Sequence, residues 1–472
     1  MKERITFATL VALVAYAAIA TDLYLPAIPA MVAEFGATAS DGQLTLSTFM
    51  LGIAVGQLIF GPLSDYYGRL PVVKIGTVLF LGTSIACALA SSMEFMWLAR
   101  LAQGLAAASG PVIARAIVRD RYEGPRAAQI MAILSGAMAV VPLMAPTLGA
   151  WLLILVSWRA TYIALAIFAG VVLLGLRSFE ESAPHIRKGA IGIVPVLKHF
   201  STCLKNRRFV GYQICGTAAF SAIVAYLSTV SFFMQDVFAL PIKYFGYAFA
   251  VTVAGFMVGA LLCSRIVIHL GINRTLALGT TLSLLGALGQ SLGASLNDTP
   301  IALLAGCSFV MFLGVGFTSA NATMGALSLF PDHAGSASAV FGFTQSSVAA
   351  LVGVYAGHLY DGSLVSVTSV MLVCAGVGML GLPLARAQIP VRCTYPAFIS
   401  WKMWNSVSWP TEASSLHKQS LKKMAFSGWP RIGAKSSKTL PSMPFASALG
   451  RICTRRRLLR HWKMVTMYSA KP

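Results

Sequence analysis

Charge is what this sequence has least of. Asp, Glu, Lys and Arg make up 11% of its 472 residues, against about 25% in an average soluble domain. With 57% of residues hydrophobic, a soluble fold could not hide its apolar surface. Also missing is any metal or dithiol spacing. None of the eight cysteines (Cys87, Cys203, Cys215, Cys263, Cys307, Cys374, Cys393, Cys453) forms a Cys-x-x-Cys pair, and most lie in apolar runs, where cysteine behaves as a small hydrophobe. A phosphate-binding Gly-x-x-x-x-Gly-Lys-Ser/Thr loop is absent, which excludes an ATP-driven pump on this chain. No nucleophile motif stands out, so an enzyme is not indicated and no cofactor is implied. A cleavable leader is not expected either. The first apolar run, from Ile5, continues into Asp22-Leu23-Tyr24-Leu25-Pro26 and reads as a span.

What is present is apolar length. The mean hydropathy is +0.75, and uninterrupted apolar runs of about 20 residues recur, each long enough to cross a bilayer as a helix. Continuous runs exclude a membrane barrel, whose strands alternate. We read twelve spans, at residues 5–25, 43–62, 71–90, 95–118, 129–151, 158–176, 209–234, 244–265, 275–296, 300–323, 337–358 and 364–386. The expected fold is an all-α membrane protein, with backbone groups satisfied inside each helix.

The net charge of +21 is unevenly placed. Residues 387–472 hold fifteen Lys/Arg and one acid, Glu412, leaving twenty-one basic and fourteen acidic residues for the first 386. The tail also holds five of the eight tryptophans and the basic run 455–457, without periodicity or a further span. It reads as a disordered or non-native extension, or as a basic segment on anionic lipid. Nucleic acid is not an expected partner, because no stacking or groove-reading motif accompanies the charge.

Charge also orients the body. Arg69, Lys74, Arg119, Arg121, Arg126 and Arg274 fall in loops after even-numbered spans, as do seven basic residues of the segment 177–208. The opposite loops carry mainly Glu34, Asp41, Glu94, Asp236, Asp298 and Asp361. The positive-inside rule then places both termini in the cytoplasm.

The central loop 177–208 divides the body into six-span halves, 1–176 and 209–386. Gly68 and Gly76, just after span 2, recur as Gly271 and Gly279 just after span 8, 203 residues later. Two such halves around a shared path are the usual design of rocking transporters. One chain holds both halves, so a monomer suffices.

Four local motifs carry chemistry. After span 2 stands Gly61-Pro62-Leu63-Ser64-Asp65-Tyr66-Tyr67-Gly68-Arg69. Its glycines permit a tight turn, and Asp65 can accept from an arginine or from helix N-terminal amides. Span 4 opens with Arg100-Leu101-Ala102-Gln103-Gly104, a cation where an unpaired charge is costly. Span 5 carries Pro142, Pro146 and Gly149, which bend a helix and thin its face. At the end of span 1 lies Asp22, the best candidate for an ionisable group inside the body. Proton exchange needs such a carboxyl, although an interfacial Asp capping a broken helix would look the same. Asn321 of span 10 is a candidate lining residue or a helix–helix contact. His269 and His358 lie near span ends and read as interfacial.

The first motif closely resembles the loop signature of the major facilitator superfamily, Gly-x-Leu-(Ser/Ala)-Asp-x-x-Gly-Arg, with Leu70 and Pro71 where a further basic residue is usual. Arg100–Gly104 is similar to the superfamily's Arg-x-x-Gln-Gly, and 142–149 is similar to the element that marks exporters, with Ala145 in place of its glycine. Together with Asp22-Leu23-Tyr24-Leu25-Pro26-Ala27-Ile28-Pro29 and Ala114-Arg115-Ala116-Ile117-Val118-Arg119-Asp120, the chain resembles the bicyclomycin/chloramphenicol-resistance family of drug:proton antiporters. The resemblance implies two pseudo-symmetric six-helix halves and proton-coupled efflux of small amphipathic drugs by alternating access across the bacterial inner membrane. It implies proton coupling by Asp22 and Arg100, and a gate at Gly61, Asp65, Gly68, Arg69, Arg119 and Asp120. Tyr24, Gln103 and Asn321 would line the substrate path. Small molecules, protons and membrane lipid are the expected partners. The competing reading is a transporter of a metabolite such as an amino acid or sugar.

Overall fold

The computed structural model describes residues 2–122, 124–182, 200–296, 299–330 and 334–386. The basic tail, 387–472, and the middle of the central loop, 183–199, lie outside the described residues. Those described belong to one compact unit, Met1–Ala387, and are almost entirely helical.

Ten helices among the described residues are long and apolar enough to cross a bilayer. One of them, Ile242–Ala294, has 53 residues. At 1.5 Å per residue it measures about 80 Å, more than twice the hydrocarbon thickness. It breaks at Gly271, whose φ of 74° and ψ of 165° are non-helical, so it is spans 8 and 9 joined without a loop. The helix Gly124–Leu155, with Pro142 and Pro146 inside it, supplies span 5. Twelve crossings result.

The boundaries differ from expectation where helices abut. Span 2 runs Ala39–Tyr67, straight through Pro62, and span 3 begins at Arg69. The loop expected between them is the single residue Gly68, at φ 95° and ψ 157°. Span 1 is also longer. After Lys2–Asp22 the chain makes a short 3-10 turn, Leu25–Ala27, and resumes as Ile28–Glu34. Pro26 and Pro29 lack the amide hydrogens that would carry one helix through.

Capping fixes the other starts. Thr38 and Asp41 form a reciprocal capping box at span 2. The Asn206 side chain accepts from the Arg208 and Phe209 amides at span 7. Before span 12 the Asp361 carboxylate accepts from the Ser363 hydroxyl and amide, which holds its pKa below the usual carboxylate range.

Glycines set the packing within each set of six spans. In span 2, Gly52 faces the backbone of Leu101 and Leu105, and Gly56 faces Ala108. In span 8, Gly255 and Gly259 face the carbonyls of Phe309 and Leu313. These pairs share the 203-residue offset of Gly68/Gly271 and Gly76/Gly279. The repeat is therefore a repeated contact, spans 2 on 4 and 8 on 10, where a Cβ would collide with backbone.

The two sets meet at one end of the molecule and along span 2 as far as Gln57, which abuts Gly342 of span 11. At that end Ser231 Oγ donates to the Leu25 carbonyl (2.5 Å) and Gln235 Nε2 to the Pro26 carbonyl (3.2 Å). Gly246 of span 8 abuts Thr147 of span 5, and Gly353 and Gly357 of span 11 abut Ser47 and Gln43 of span 2. The buried core is continuous across this end. Toward the Arg69 end it divides, with Phe209, Tyr212, Leu276, Phe341 and Ala385 in a separate cluster of the second set. The halves are thus closed at the Pro26 end and part at the Arg69 end.

Candidate functional site

Asp22 is the last residue of the first helix, at the break in span 1, and is 4% exposed. Among the described residues none forms a hydrogen bond or ion pair with its carboxylate. Close by, Arg100 is fully buried. Its Nη1 donates to Gln103 Oε1 (2.6 Å) and to the carbonyl of Ala20 (3.2 Å), two residues before Asp22, and its Nε donates to the Thr45 carbonyl (3.4 Å). The Tyr24 and Phe49 rings sandwich the guanidinium, each centroid 4.1 Å from Cζ. Tyr162 lies beyond at 5.9 Å. Nη2 has no partner.

This buried cation is thus balanced by carbonyls, an amide oxygen and aromatic faces, not by a carboxylate. Arg100 holds the chain on either side of Asp22, at the Ala20 carbonyl and the Tyr24 ring, without pairing with its carboxylate. The span 4 motif explains how the cage is built. Gln103 holds Arg100 with its oxygen and anchors its own Nε2 on Ser84 Oγ of span 3 (2.8 Å). Gly104 lets span 2 approach so closely that a Cβ there would strike the Phe49 carbonyl, which brings the Phe49 ring over Arg100. Tyr24, a candidate lining residue, is buried with its hydroxyl 3.2 Å from Thr45 Oγ1.

The span 5 element meets the same break from the other side. Gly149 packs on the Leu23 carbonyl and Pro26, next to Asp22. One turn earlier, Pro146 is buried and Thr147 contacts Gly246 of span 8. This stretch therefore touches both the broken helix and the other half of the molecule.

At the opposite end Arg69 gathers several of the residues expected to form a gate. Its Nη1 donates to Asp65 Oδ1 (2.5 Å) and Ser64 Oγ (2.8 Å), and its Nε to Asp120 Oδ2 (2.8 Å). Asp65 is half-exposed, Arg69 is buried and Asp120 is partly buried. Gly61 accepts from Ser64 Oγ through its carbonyl, and a Cβ at Gly61 would meet nothing. The expected member Arg119 is exposed and makes no ion pair among the described residues. A member that sequence spacing could not reveal is Glu181, just after span 6. Its carboxylate accepts from the backbone amides of Arg69 (2.9 Å) and Leu70 (3.0 Å), capping span 3. Arg121 reinforces this strap by donating to the Glu180 carbonyl.

The matching corner of the second half has no ion pair among the described residues. Ile268 stands where Asp65 would be and is exposed, while Tyr212 donates to Asn273 Oδ1 (2.5 Å). Asn321 is buried, with its Nδ2 on Cys263 Sγ (3.0 Å) and the Phe317 carbonyl (2.7 Å). In this structure its amide links spans 8 and 10.

Twelve spans around a buried cation, an unpaired carboxyl and an ionic corner at one end define a polytopic membrane transporter. Residues 9–354 match the family described as Major Facilitator Superfamily, and the chain belongs to that family. Curated relatives agree. The chain is 29% identical over 386 residues to "Uncharacterized MFS-type transporter YdgK" of Bacillus subtilis, covering 80% of this chain and 95% of that one. It is 24% identical over 335 residues to "Bicyclomycin resistance protein homolog" of Haemophilus influenzae (70% and 83%). It is 28% identical over 365 residues to "Multidrug resistance protein MdtL" of Escherichia coli O157:H7 (75% and 90%). Among solved structures it is similar to the xylose transporter XylE from E. coli in a partially occluded inward open conformation. The TM-score is 0.65 and the identity 14%, with 82% of this chain and 98% of that chain covered. That likeness concerns the fold alone.

Proposed function

We propose that this chain exports small amphipathic drugs, of phenicol or bicyclomycin type, in exchange for protons entering the cell. One observation carries the proton half of this reading. Asp22 is a buried carboxyl with no partner among the described residues, set at the break of span 1, two residues past the Ala20 carbonyl that buried Arg100 holds. Such a group can bind a proton from one side and release it to the other as the halves rock. Drug export is supported by the resistance proteins among its relatives and by the span 5 element at the junction of the halves.

In this reading the Arg69 end faces the cytoplasm, both termini lie inside, and the chain works as a monomer in the bacterial inner membrane. The structure is then the inward-facing state. Closure of the cytoplasmic side would be controlled by the Arg69 corner with Asp65, Asp120 and Glu181. A membrane potential of 100 mV supplies about 2.3 kcal/mol per proton charge, enough for a drug gradient of roughly fifty-fold.

Accumulation of labelled chloramphenicol in cells with and without the protein, before and after a protonophore, tests the reading. Lower accumulation that the protonophore reverses is expected, and Asp22→Asn should abolish it. Export unchanged in Asp22→Asn would remove Asp22 from the mechanism. Accumulation indifferent to the protein would remove phenicols as cargo.

A further inference from the structure

Spans 2 and 11 run antiparallel across the boundary between the halves, and one pattern recurs along them. Gly357 faces Gln43, Gly353 faces Ser47, and Gly342 faces Gln57. Gln43 and Ser47 are one turn apart, and Gln57 lies ten residues, about 15 Å, beyond Ser47. At each place a glycine of span 11 receives a polar side chain of span 2. The other junction repeats this, since Gly246 of span 8 receives the Thr147 hydroxyl of span 5. Contacts of this kind can part into water, because the amide or hydroxyl is hydrated there and the glycine exposes no side chain.

Gln43 differs from the rest of this seam. It is fully buried, and neither its Oε1 nor its Nε2 has a hydrogen-bond partner among the described residues. Nearby hydroxyls spend their protons on their own helices. Ser228 Oγ, which lies with Ser47 Oγ against Gly353, donates to the Val224 carbonyl (2.8 Å). Thr45 Oγ1 donates to the Gly42 carbonyl (2.5 Å), and Ser47 Oγ reaches only the backbone carbonyl of Gln43 (3.5 Å). Across the seam, Gly357 has no side chain to offer Oε1 a donor. Buried amides are nearly always paired, and leaving one unpaired disfavours that state by about tenfold or more. The end that bears this cost is the closed one, where the Ser231–Leu25 and Gln235–Pro26 hydrogen bonds hold the halves together. Parting of that end admits water to Gln43 and removes the cost.

We propose that Gln43 is a built-in release for the seam between spans 2 and 11. Its unpaired amide keeps the Pro26 end from closing too firmly, so that the two ends exchange under the modest differential binding that a proton or a cargo molecule supplies. This rests on the alternating opening of the two ends in the export reading, and on no choice of cargo.

The test is the rate of maleimide labelling of single cysteines in the purified full-length protein, its native cysteines replaced by alanine, with neither drug nor gradient present. Ser228→Cys, buried beside Gly353, reports opening of the Pro26 end, and Ala320→Cys, exposed in span 10, reports the Arg69 end. Gln43→Met keeps the length of the side chain and removes both unpaired atoms, and should slow labelling at position 228 by roughly fivefold or more. Gln43→Glu, which places a charge in the closed seam, should speed it by a similar factor and slow labelling at position 320. Where Gln43→Met does not fold, Gln43→Leu takes its place. If Gln43 served only to pack the seam, both substitutions would loosen it and speed labelling at 228 while leaving 320 unchanged. That outcome overturns the proposal, as does equal labelling in Gln43→Met and the parent, or no labelling at 228 in any variant. Opposite shifts in a protein that does not export chloramphenicol would remove phenicols as cargo and leave the role of Gln43 standing.

Discussion

Gln103 accepts from Arg100 Nη1 at 2.6 Å, and its other end is tied to span 3 through Ser84. The amide thus fixes where the buried guanidinium sits between its two rings. Removing it leaves a buried cation with fewer acceptors, at a cost of about 1.5–3 kcal/mol for a hydrogen bond to a charged group. Gln103→Leu, close in volume, is expected to lower drug export at least tenfold while the protein still reaches the membrane. Drug accumulation normalised to protein amount checks this. Gln103→Glu should keep the protein stable, since the carboxylate accepts equally well, yet alter proton dependence by placing a counter-ion on Arg100.

Gly149 faces a harder constraint, because the atom against it is backbone. A Cβ there would overlap the Leu23 carbonyl, and a carbonyl cannot rotate aside as a side chain can. Overpacking of this kind costs about 1–3 kcal/mol. Gly149→Ala is expected to impair export by prising span 5 from the break beside Asp22. Gly170→Ala, in span 6 where a Cβ would meet nothing, should be silent. Equal effects of the two substitutions would show that helix propensity, not the Leu23 contact, is what matters.

These contacts show what the sequence could and could not reveal. Apolar run length located the crossings, because a bilayer imposes its thickness on any helix that spans it. Ends were less legible. Pro62 and Pro71 look like helix boundaries, yet Pro62 lies inside a helix and Gly68 alone makes the turn. The motif around Asp65 and Arg69 was legible because its members are close in sequence. Glu181 was not, since it lies 112 residues from Arg69 and only the packing of span 6 brings it back.

The Arg69 corner makes its own prediction. One planar guanidinium serves Asp65, Asp120 and Ser64 in different directions, a geometry that an ammonium does not reproduce. Arg69→Lys is therefore expected to behave nearly as badly as Arg69→Ala. Glu181→Ala should be milder, since it frees two helix-start amides that water can reach, at about 1 kcal/mol. In this structure, which is open at the Arg69 end, the corner is formed. Weakening it should shift the protein toward closure of this end, read as lower labelling of a cysteine placed at Ala320, an exposed position in span 10. Unchanged labelling in Arg69→Lys would separate the corner from the motion.

Gly68 and Gly271 allow the repeat to be tested directly. Both hold positive φ, 95° and 74°, a conformation that costs a residue with a Cβ about 1–3 kcal/mol. Their surroundings differ. A Cβ at Gly68 would also press on the Glu181 carboxylate, whereas one at Gly271 would meet nothing within 4 Å. Gly271→Ala is thus expected to carry the backbone cost alone. Gly68→Ala should carry that cost and also dislodge the cap on span 3. Heating the purified protein and following its monodisperse fraction should place wild type above Gly271→Ala, and Gly271→Ala above Gly68→Ala. Adding Glu181→Ala should lower the stability of Gly271→Ala further but change Gly68→Ala little, since there the cap is already lost. An additive effect in both backgrounds would mean that Gly68 and Glu181 act independently.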